Sequence, residues 1–339
     1  MCQQDNRDLK AATPDNQPIQ KSTTTNTLTV IQCSGLQVAP HNNQPIQQLP
    51  TMNTPLFSVL IANYNNGHYL MDAIESVRCQ TYTHWEIVIV DDGSTDNSKT
   101  VYEGLENDSR IRIFHNNDNK GCGYTKRRCA ELAKGELCCF LDADDALMPD
   151  ALQTHADAHQ QHPDVSCVFS RFYYCDNALN IVGELRKLDI APGKNYFTNR
   201  SYMPEHLTSF KRASYQKSEG IDPSLPSAVD QDLYFKLEEV APVLVLEKFT
   251  YKYRQTSEQI SQGNRWIETY YWNLIVRQRT CERRGLPPSQ YPMQDLTDLV
   301  ATLSEESERL QKENTKIQKS KAYRLGKFLL HPLKALHKR

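Results

Sequence analysis

Four short apolar runs, Phe57–Ala62, Trp85–Val90, Arg110–Phe114 and Leu137–Leu141, alternate with stretches whose apolar residues fall at helical spacing. Runs of this kind read as strands buried on both faces. A strand joined to a parallel neighbour needs a long crossover connection, usually a helix. The alternation therefore predicts an α/β fold: a mostly parallel, doubly wound sheet with helices on both faces. Leu70, Ala73, Ile74 and Val77 mark a helix over Tyr69–Val77. Ser94 or Thr95 is placed to cap a helix through Val101. Gly121–Gly123 opens a helix to Lys134, with Gly135 as its C′ residue. Pro149 suits the first turn of a helix ending near His162.

Ligands bind such sheets beyond the carboxyl ends of the strands. Three polar loops fall along that edge: Asn63–Gly67, Asp91–Asp96 and Asp142–Asp145. In the last, an apolar strand runs straight into Asp142, Asp144 and Asp145, three carboxylates in four positions. They repel one another unless a cation sits among them, and hard divalent cations prefer carboxylate oxygens. The plain alternative is a solvated turn or a helix cap before Pro149.

Beyond His162 the pattern is mixed. Val165–Tyr174, Ile181–Leu188, His206–Lys211 and Val243–Tyr253 read as strands, Asn195–Met203 as a loop with Tyr196, Phe197 and Tyr202, and Val229–Val240 as a helix. Leu296, Leu303, Leu310 and Ile317 then recur every seven residues, but their companions three residues on, Leu299, Glu306 and Glu313, include two acids, which argues against a full coiled-coil seam. After Glu313 come eight Lys and Arg and no acid. Leu325, Phe328, Leu329, Leu333 and Leu336 interleave with Arg324, Lys327 and Lys334, a basic amphipathic pattern suited to an anionic membrane surface. The alternative is a tail helix packed on its own domain.

Composition removes several function classes. Apolar content of 39% is low for 339 fully globular residues, and residues 1–54 are rich in Gln, Asn, Thr and Pro. They read as disordered or loosely attached, apart from a short strand at Thr27–Ile31. A net charge of −2 gives no global case for nucleic-acid binding. No apolar run approaches the roughly 20 residues of a membrane span, and the first 30 residues hold no signal-peptide core. A cytoplasmic chain, peripheral on the inner face of the cell membrane through 321–339, is the expectation. The ten cysteines show no paired ligand spacing, so they read as small reduced apolar residues. Gly121-Cys122-Gly123 lacks the third glycine of a dinucleotide site, and no Walker A pattern occurs.

The motifs as an ordered series resemble the inverting glycosyltransferases of family 2, with the GT-A fold. The opening strand carries Val59-Leu60-Ile61-Ala62-Asn63-Tyr64-Asn65, and the signature follows as Trp85-Glu86-Ile87-Val88-Ile89-Val90-Asp91-Asp92-Gly93-Ser94-Thr95-Asp96. Asn119-Lys120-Gly121, Ala133-Lys134-Gly135-Glu136 and Leu141-Asp142-Ala143-Asp144-Asp145 complete the first half. The resemblance is strong over about residues 56–150 and weaker to about 255. It implies an N-terminal extension at 1–54, a GT-A domain at 55–290 with a nucleotide-binding half (55–150) and an acceptor half (151–290), and a helical basic tail at 291–339.

The resemblance also implies roles. Asp144 would hold Mn2+ or Mg2+, with Asp142 toward the ribose and Asp145 supporting. Asp91 and Asp92 would meet the base or ribose of the nucleotide, with Tyr64 packing on the base. Lys126 stands where the family often has Arg, followed by Arg127 and Arg128, and which of the three meets the diphosphate stays open. Asp230, preceded by Val229 instead of the usual Glu, would be the base that takes the acceptor proton, with Asp232 the alternative. The alternative for both is an acid favoured by a helix N-terminus. Thr256 replaces a late family His after Tyr253-Arg254-Gln255, and the motif of processive synthases is absent after Asp230. The implied activity is single transfer of a hexose-type sugar from a nucleoside diphosphate, UDP favoured, to a hydroxyl of a glycan or lipid-linked saccharide in cell-surface polysaccharide or lipopolysaccharide synthesis. The competing classes are a sugar nucleotidyltransferase, which would carry a Gly-rich basic loop that Asn63–Gly67 lacks, and a non-catalytic nucleotide-sugar-binding protein.

Overall fold

The computed structural model describes residues 54–185, 196–197, 206–255, 266–287 and 292–320, within the unit Asn53–Arg339. The extension 1–53 with its expected strand, most of the Asn195–Met203 loop, Thr256 and the basic tail 321–339 lie outside the described residues.

The first half alternates as its apolar pattern requires: β1 Phe57–Asn63, α1 Gly67–Arg78, β2 Trp85–Asp91, α2 Ser98–Glu103, β3 Ile111–His115, α3 Cys122–Leu132 and β4 Leu137–Phe140. β1 lies between β2 and β4, and β3 flanks β2, all parallel, with Phe57 opposite Trp85 and Asn63 opposite Asp91. Both faces are covered, which is why the strands carry no polar alternation. Phe57, Val59 and Ile61 pack with Leu70, Ile74 and Val77 of α1. Leu60 points the other way, into a cluster with Val88, Val90, Phe140 and Cys129 of α3.

The second half comprises β5 Ala146–Leu147, α4 Ala151–Gln161, β6 Cys167–Cys175, β7 Ile181–Glu184, β8 Thr208–Lys211, α5 Arg212–Lys217, α6 Val229–Val240, β9 Val243–Arg254, α7 Trp266–Arg283 and α8 Pro292–Lys319. Its strands continue the same sheet, in the order β3-β2-β1-β4-β8-β6-β9-β5, with β7 on β6. Here antiparallel pairs enter, β8 with β4 and β6, and β5 with β9, whereas β6 and β9 run parallel. The Tyr196-Phe197 pair is drawn into the core: Tyr196 stacks on Phe169 at 4.6 Å, and both backbone N–H groups donate to the Glu238 carboxylate.

Several local expectations shift. Ser94 does not cap α2. The Asp96 carboxylate accepts from Ser98 N at 3.0 Å and from Gly67 N at 2.8 Å, tying the starts of α2 and α1 together. Ser94 instead accepts from Asn65 N at 2.9 Å. Gly135 is not the C′ residue of α3, which ends at Leu132 with an extended Ala133. It passes so close to β1 that a Cβ there would meet Leu56 O at 2.5 Å. Pro149 precedes Asp150, the N-cap of α4, and its carbonyl accepts from Thr81 N at 2.9 Å. The sequence reading contained neither α7, α5 nor the two-residue β5.

Candidate active site

The carboxyl ends of β1, β2 and β4 open into a cleft of about 530 Å³. Its walls carry Tyr64, Asp92, Lys126, Asp142, Asp144 and Asp145 from the first half, and His206, Asp230 and Tyr253 from the second. Residues far apart in the chain meet here because the second half continues the sheet past β4 and α6 folds back over α3's face of it. Three non-glycine residues with positive φ flank the cleft's elements: Asn65 at 55°, Leu207 at 33° and Ala228 at 57°. Asn tolerates this region, but Leu and Ala pay roughly 1–2 kcal/mol each, the kind of strain that gathers at functional sites.

Asp92 follows β2 and is 3% exposed. Its carboxylate accepts from Lys120 N and Gly121 N, both at 2.9 Å, and from Asn116 Nδ2 at 2.6 Å. It thus holds the loop that opens α3 against the cleft. Tyr64, 47% exposed, offers its ring at the cleft wall. Asp91 is in a different position: it does not line the cleft. Its carboxylate accepts from Tyr102 OH at 2.7 Å and Ser94 N at 2.9 Å. Burial pushes its pKa up, but these hydrogen bonds outweigh burial and hold it below the usual carboxylate range.

Of the three cations on α3, the structure turns one into the cleft. Lys126 shares the inward face with Thr125, Cys129 and Ala130. Its Nζ lies 2.9 and 2.8 Å from the two oxygens of Asp230 and 3.3 Å from Asp142 Oδ1. Burial alone would lower its pKa; Asp142 and Asp230 outweigh that and raise it well above the ordinary value. Arg127 points outward to Glu131 at 2.8 Å and to the Ile221 carbonyl at 2.9 Å. Arg128 bonds the His115 carbonyl and Asn116.

The two acids of α6 separate in the same way. Asp230 faces the cleft with its side chain 29% exposed, whereas Asp232 is 2% exposed and takes Lys236 Nζ at 2.7 Å. An i, i+2 pair lies about 200° apart around a helix, so one residue must turn inward.

The acidic loop divides too. Asp142 is pushed up by burial, but Lys126 and His206 outweigh that and bring its carboxyl below the usual range. Asp145 is fully buried and accepts from Tyr251 OH at 2.7 Å and Arg254 N at 2.8 Å. Burial, and then Asp144 and Asp142 beside it, raise its pKa well above the ordinary value. Asp144 lines the cleft, and its carbonyl accepts from Arg254 Nε at 2.5 Å.

His206 is a site residue that the sequence reading assigned only to a strand. Its Nδ1 is 4.0 Å from Asp142 Oδ2, and its ring stacks on Tyr253 at 4.3 Å. Burial lowers its pKa, aided by the Lys126 cation, against the pull of Asp142 and Asp230, which favours the neutral imidazole that a metal can bind. Ligand atoms of Asp142, Asp145 and His206 all lie within 4.8 Å of one another. Two carboxylates and a neutral imidazole suit a divalent cation of the Mn2+ type. A buried carboxylate with a raised pKa is also one that a cation would stabilise in its ionised form. Asp144 is outside this three-residue group. Cys122 lines the cleft as well, and burial pushes its thiol up to about 11, the reverse of the shift that activates a nucleophilic cysteine.

Residues 58–218 match the glycosyl transferase family 2 model. The chain is 31% identical over 198 residues to a chondroitin synthase of Escherichia coli, a match covering 58% of this chain and 28% of that one. The first curated relatives are longer proteins, of which the chain spans 28%, 35% and 41%. Among solved structures, S. aureus TarS 1-349 in complex with UDP-GlcNAc aligns with a TM-score of 0.56 at 20% identity, over 72% of this chain and 71% of that one. Mannosyltransferase PcManGT from Pyrobaculum calidifontis, in complex with GDP-Man and Mn2+, aligns with a TM-score of 0.52 at 17% identity, over 84% and 86%. These two likenesses show the GT-A fold. Over residues 58–218, then, the chain is similar to glycosyl transferase family 2.

Proposed function

We propose that this chain is an inverting glycosyltransferase that moves a hexose-type sugar from a nucleoside diphosphate, UDP favoured, to a hydroxyl of a glycan or lipid-linked saccharide. One observation carries the reading: Lys126 bridges Asp142, from the acidic loop after β4, and Asp230, from the first turn of α6, within a single cleft. Tyr64 would pack on the base and Asp92 would fix the loop beside it. Asp230 would take the proton as the acceptor oxygen attacks the anomeric carbon. The bond from that carbon to the phosphate oxygen breaks, and the electron pair leaves with the nucleoside diphosphate. A single displacement inverts the anomeric centre. A divalent ion held by Asp142, Asp145 and His206, with Asp144 on the same wall, would supply Lewis-acid neutralisation of the diphosphate.

Lys126 has two tasks in this scheme. Paired with Asp230 it suppresses the base. A diphosphate beside Asp142 competes for the ammonium, so donor binding would release the carboxylate that the acceptor then meets. The acceptor class rests on the chondroitin synthase likeness and on the basic sequence of 321–339, which suits contact with the inner face of the cell membrane. Among the described residues no helix is long and apolar enough to cross a membrane.

The test is transfer from a panel of nucleotide sugars with Mn2+ or Mg2+, alongside calorimetric donor binding. Asp230→Asn is expected to lose at least about 1,000-fold in kcat with donor affinity kept. Asp142→Ala and Asp144→Ala are expected to weaken donor binding. Unchanged turnover in all three variants would sink the assignment. Donor binding by the unaltered chain without turnover of any sugar would favour a non-catalytic binding protein instead.

A further inference from the structure

Helix α8 carries a heptad seam of which Val300, Leu310 and Ile317 are left exposed by their own chain. Stepping four residues from Leu296, Leu303 and Leu310, instead of three, reaches Val300, Ser307 and Asn314. In that register Met293, Val300, Ser307 and Asn314 take position a of a heptad, and Leu296, Leu303, Leu310 and Ile317 take position d. The acids Glu306 and Glu313 move out of the seam to g. Val300, Leu310 and Ile317 are 57%, 52% and 57% exposed, and Ser307 and Asn314 between them are exposed too. At 1.5 Å per residue the helix is about 42 Å long, and within its own chain it packs chiefly on α7. An apolar d row every seven residues, joined by Met293 and Val300 at the first two a positions, wants a second helix of the same period.

We propose that α8 pairs with α8 of a second copy of this chain in a parallel, in-register, two-stranded coiled coil. Three features select that partner. Valine at a followed by leucine at d favours two strands, and an asparagine at a, here Asn314, pairs with its own counterpart only when the helices are parallel and in register. The flanking charges agree: parallel pairing sets Glu306 against Gln311 and Glu313 against Gln318 of the other copy, with no like charges opposed. Antiparallel pairing would face the g glutamates with one another. The outer surface carries both signs, with Arg309 paired to Glu306 at 2.5 Å and Lys312 to Glu308 at 3.7 Å, which keeps the helix itself stable in water. That mixed surface suits a solvated coiled coil better than an anionic membrane.

The experiment is light scattering and sedimentation of the full chain at micromolar concentrations. The dimer mass is expected for the unaltered protein, and half that mass for the double variant Leu310→Lys with Ile317→Lys, with the far-ultraviolet spectrum and donor binding retained. Under oxidation Asn314→Cys is expected to link two chains covalently, whereas Glu308→Cys on the outer face stays unlinked. A monomer throughout would overturn the proposal, as would a monomer that binds anionic vesicles through Leu310 and Ile317. A dimer that Asn314→Cys fails to link would overturn the parallel register, and a trimeric mass would overturn the two-stranded state.

Discussion

At the scale of single residues the site turns on charge balance. Lys126 neutralises Asp142 and Asp230 together, at 3.3 and 2.8 Å. Replacing it with Met leaves two carboxylates facing each other in a desolvated cleft. The expected outcome is a donor Kd raised about 10- to 100-fold, with Lys126→Arg restoring much of it, because the fork keeps the charge but not the point geometry. Isothermal titration with the nucleoside diphosphate measures this directly. A second residue-scale expectation concerns His155 and His159, buried between α4 and the sheet. Ser209 Oγ lies 2.7 Å from His155 Nδ1 and 2.9 Å from His159 Nε2. Burial lowers both to about 3. The unfolded chain takes up these protons near pH 6.5 and the folded chain only near 3, so the pair's contribution is complete above 6.5 and is lost as pH falls toward 3. Each neutral histidine therefore adds up to about 1.4 kcal/mol per pH unit to the slope of unfolding free energy across that window. Denaturant titrations from pH 7 to 4 are expected to show a shallower slope for His159→Gln than for the unaltered chain.

At the scale of elements, the starts of α1 and α2 depend on one carboxylate. Asp96 receives the backbone N–H groups of Gly67 and Ser98 and the Ser98 hydroxyl, the last at 2.6 Å. Its pKa is lowered; burial raises it, but the Ser98 and Gly67 hydrogen bonds outweigh burial. Asp96→Ala is expected to cost about 1–3 kcal/mol, read from chemical denaturation, because two helix N-termini lose an acceptor at once. The spans of β1, β2 and α6 were legible within a residue, and α6 was expected at Val229–Val240 and observed there. Continuous apolar runs and one amphipathic face encode such elements locally. By contrast, the inward stripe of α7, Trp272, Val276, Thr280 and Cys281, is thin and interrupted by polar residues, and β5 is two residues, pairing Ala146 with Lys252 and Leu147 with Tyr251. Neither shows a period strong enough for a local reading to detect.

At the scale of the whole molecule, the sheet brings a parallel half and a mixed half to one cleft, and the donor would be gripped by residues from both. Ligand binding to the folded state alone stabilises it by RT ln(1 + [L]/Kd), about 2.7 kcal/mol at 100 times Kd. UDP with Mn2+ is therefore expected to raise Tm by several degrees. Chelation of the metal, or His206→Ala, is expected to abolish most of that shift. A full shift in the presence of chelator would remove the metal from the donor site.

Composition and order of residues determined that strands would end in polar loops on one edge, and which residue types would gather there. Tyr64, Asp92, Lys126, Asp142, Asp144, Asp145 and Asp230 all reach the cleft. Tertiary structure decided the rest. Asp91 serves the core of the loop, Arg127 faces outward and Asp232 pairs with Lys236, because the turn of a helix or the pleat of a strand assigns each neighbour a different direction. His206 joins the acids only because β8 lies beside β4, a pairing between residues about 70 apart in the chain that no local pattern announces.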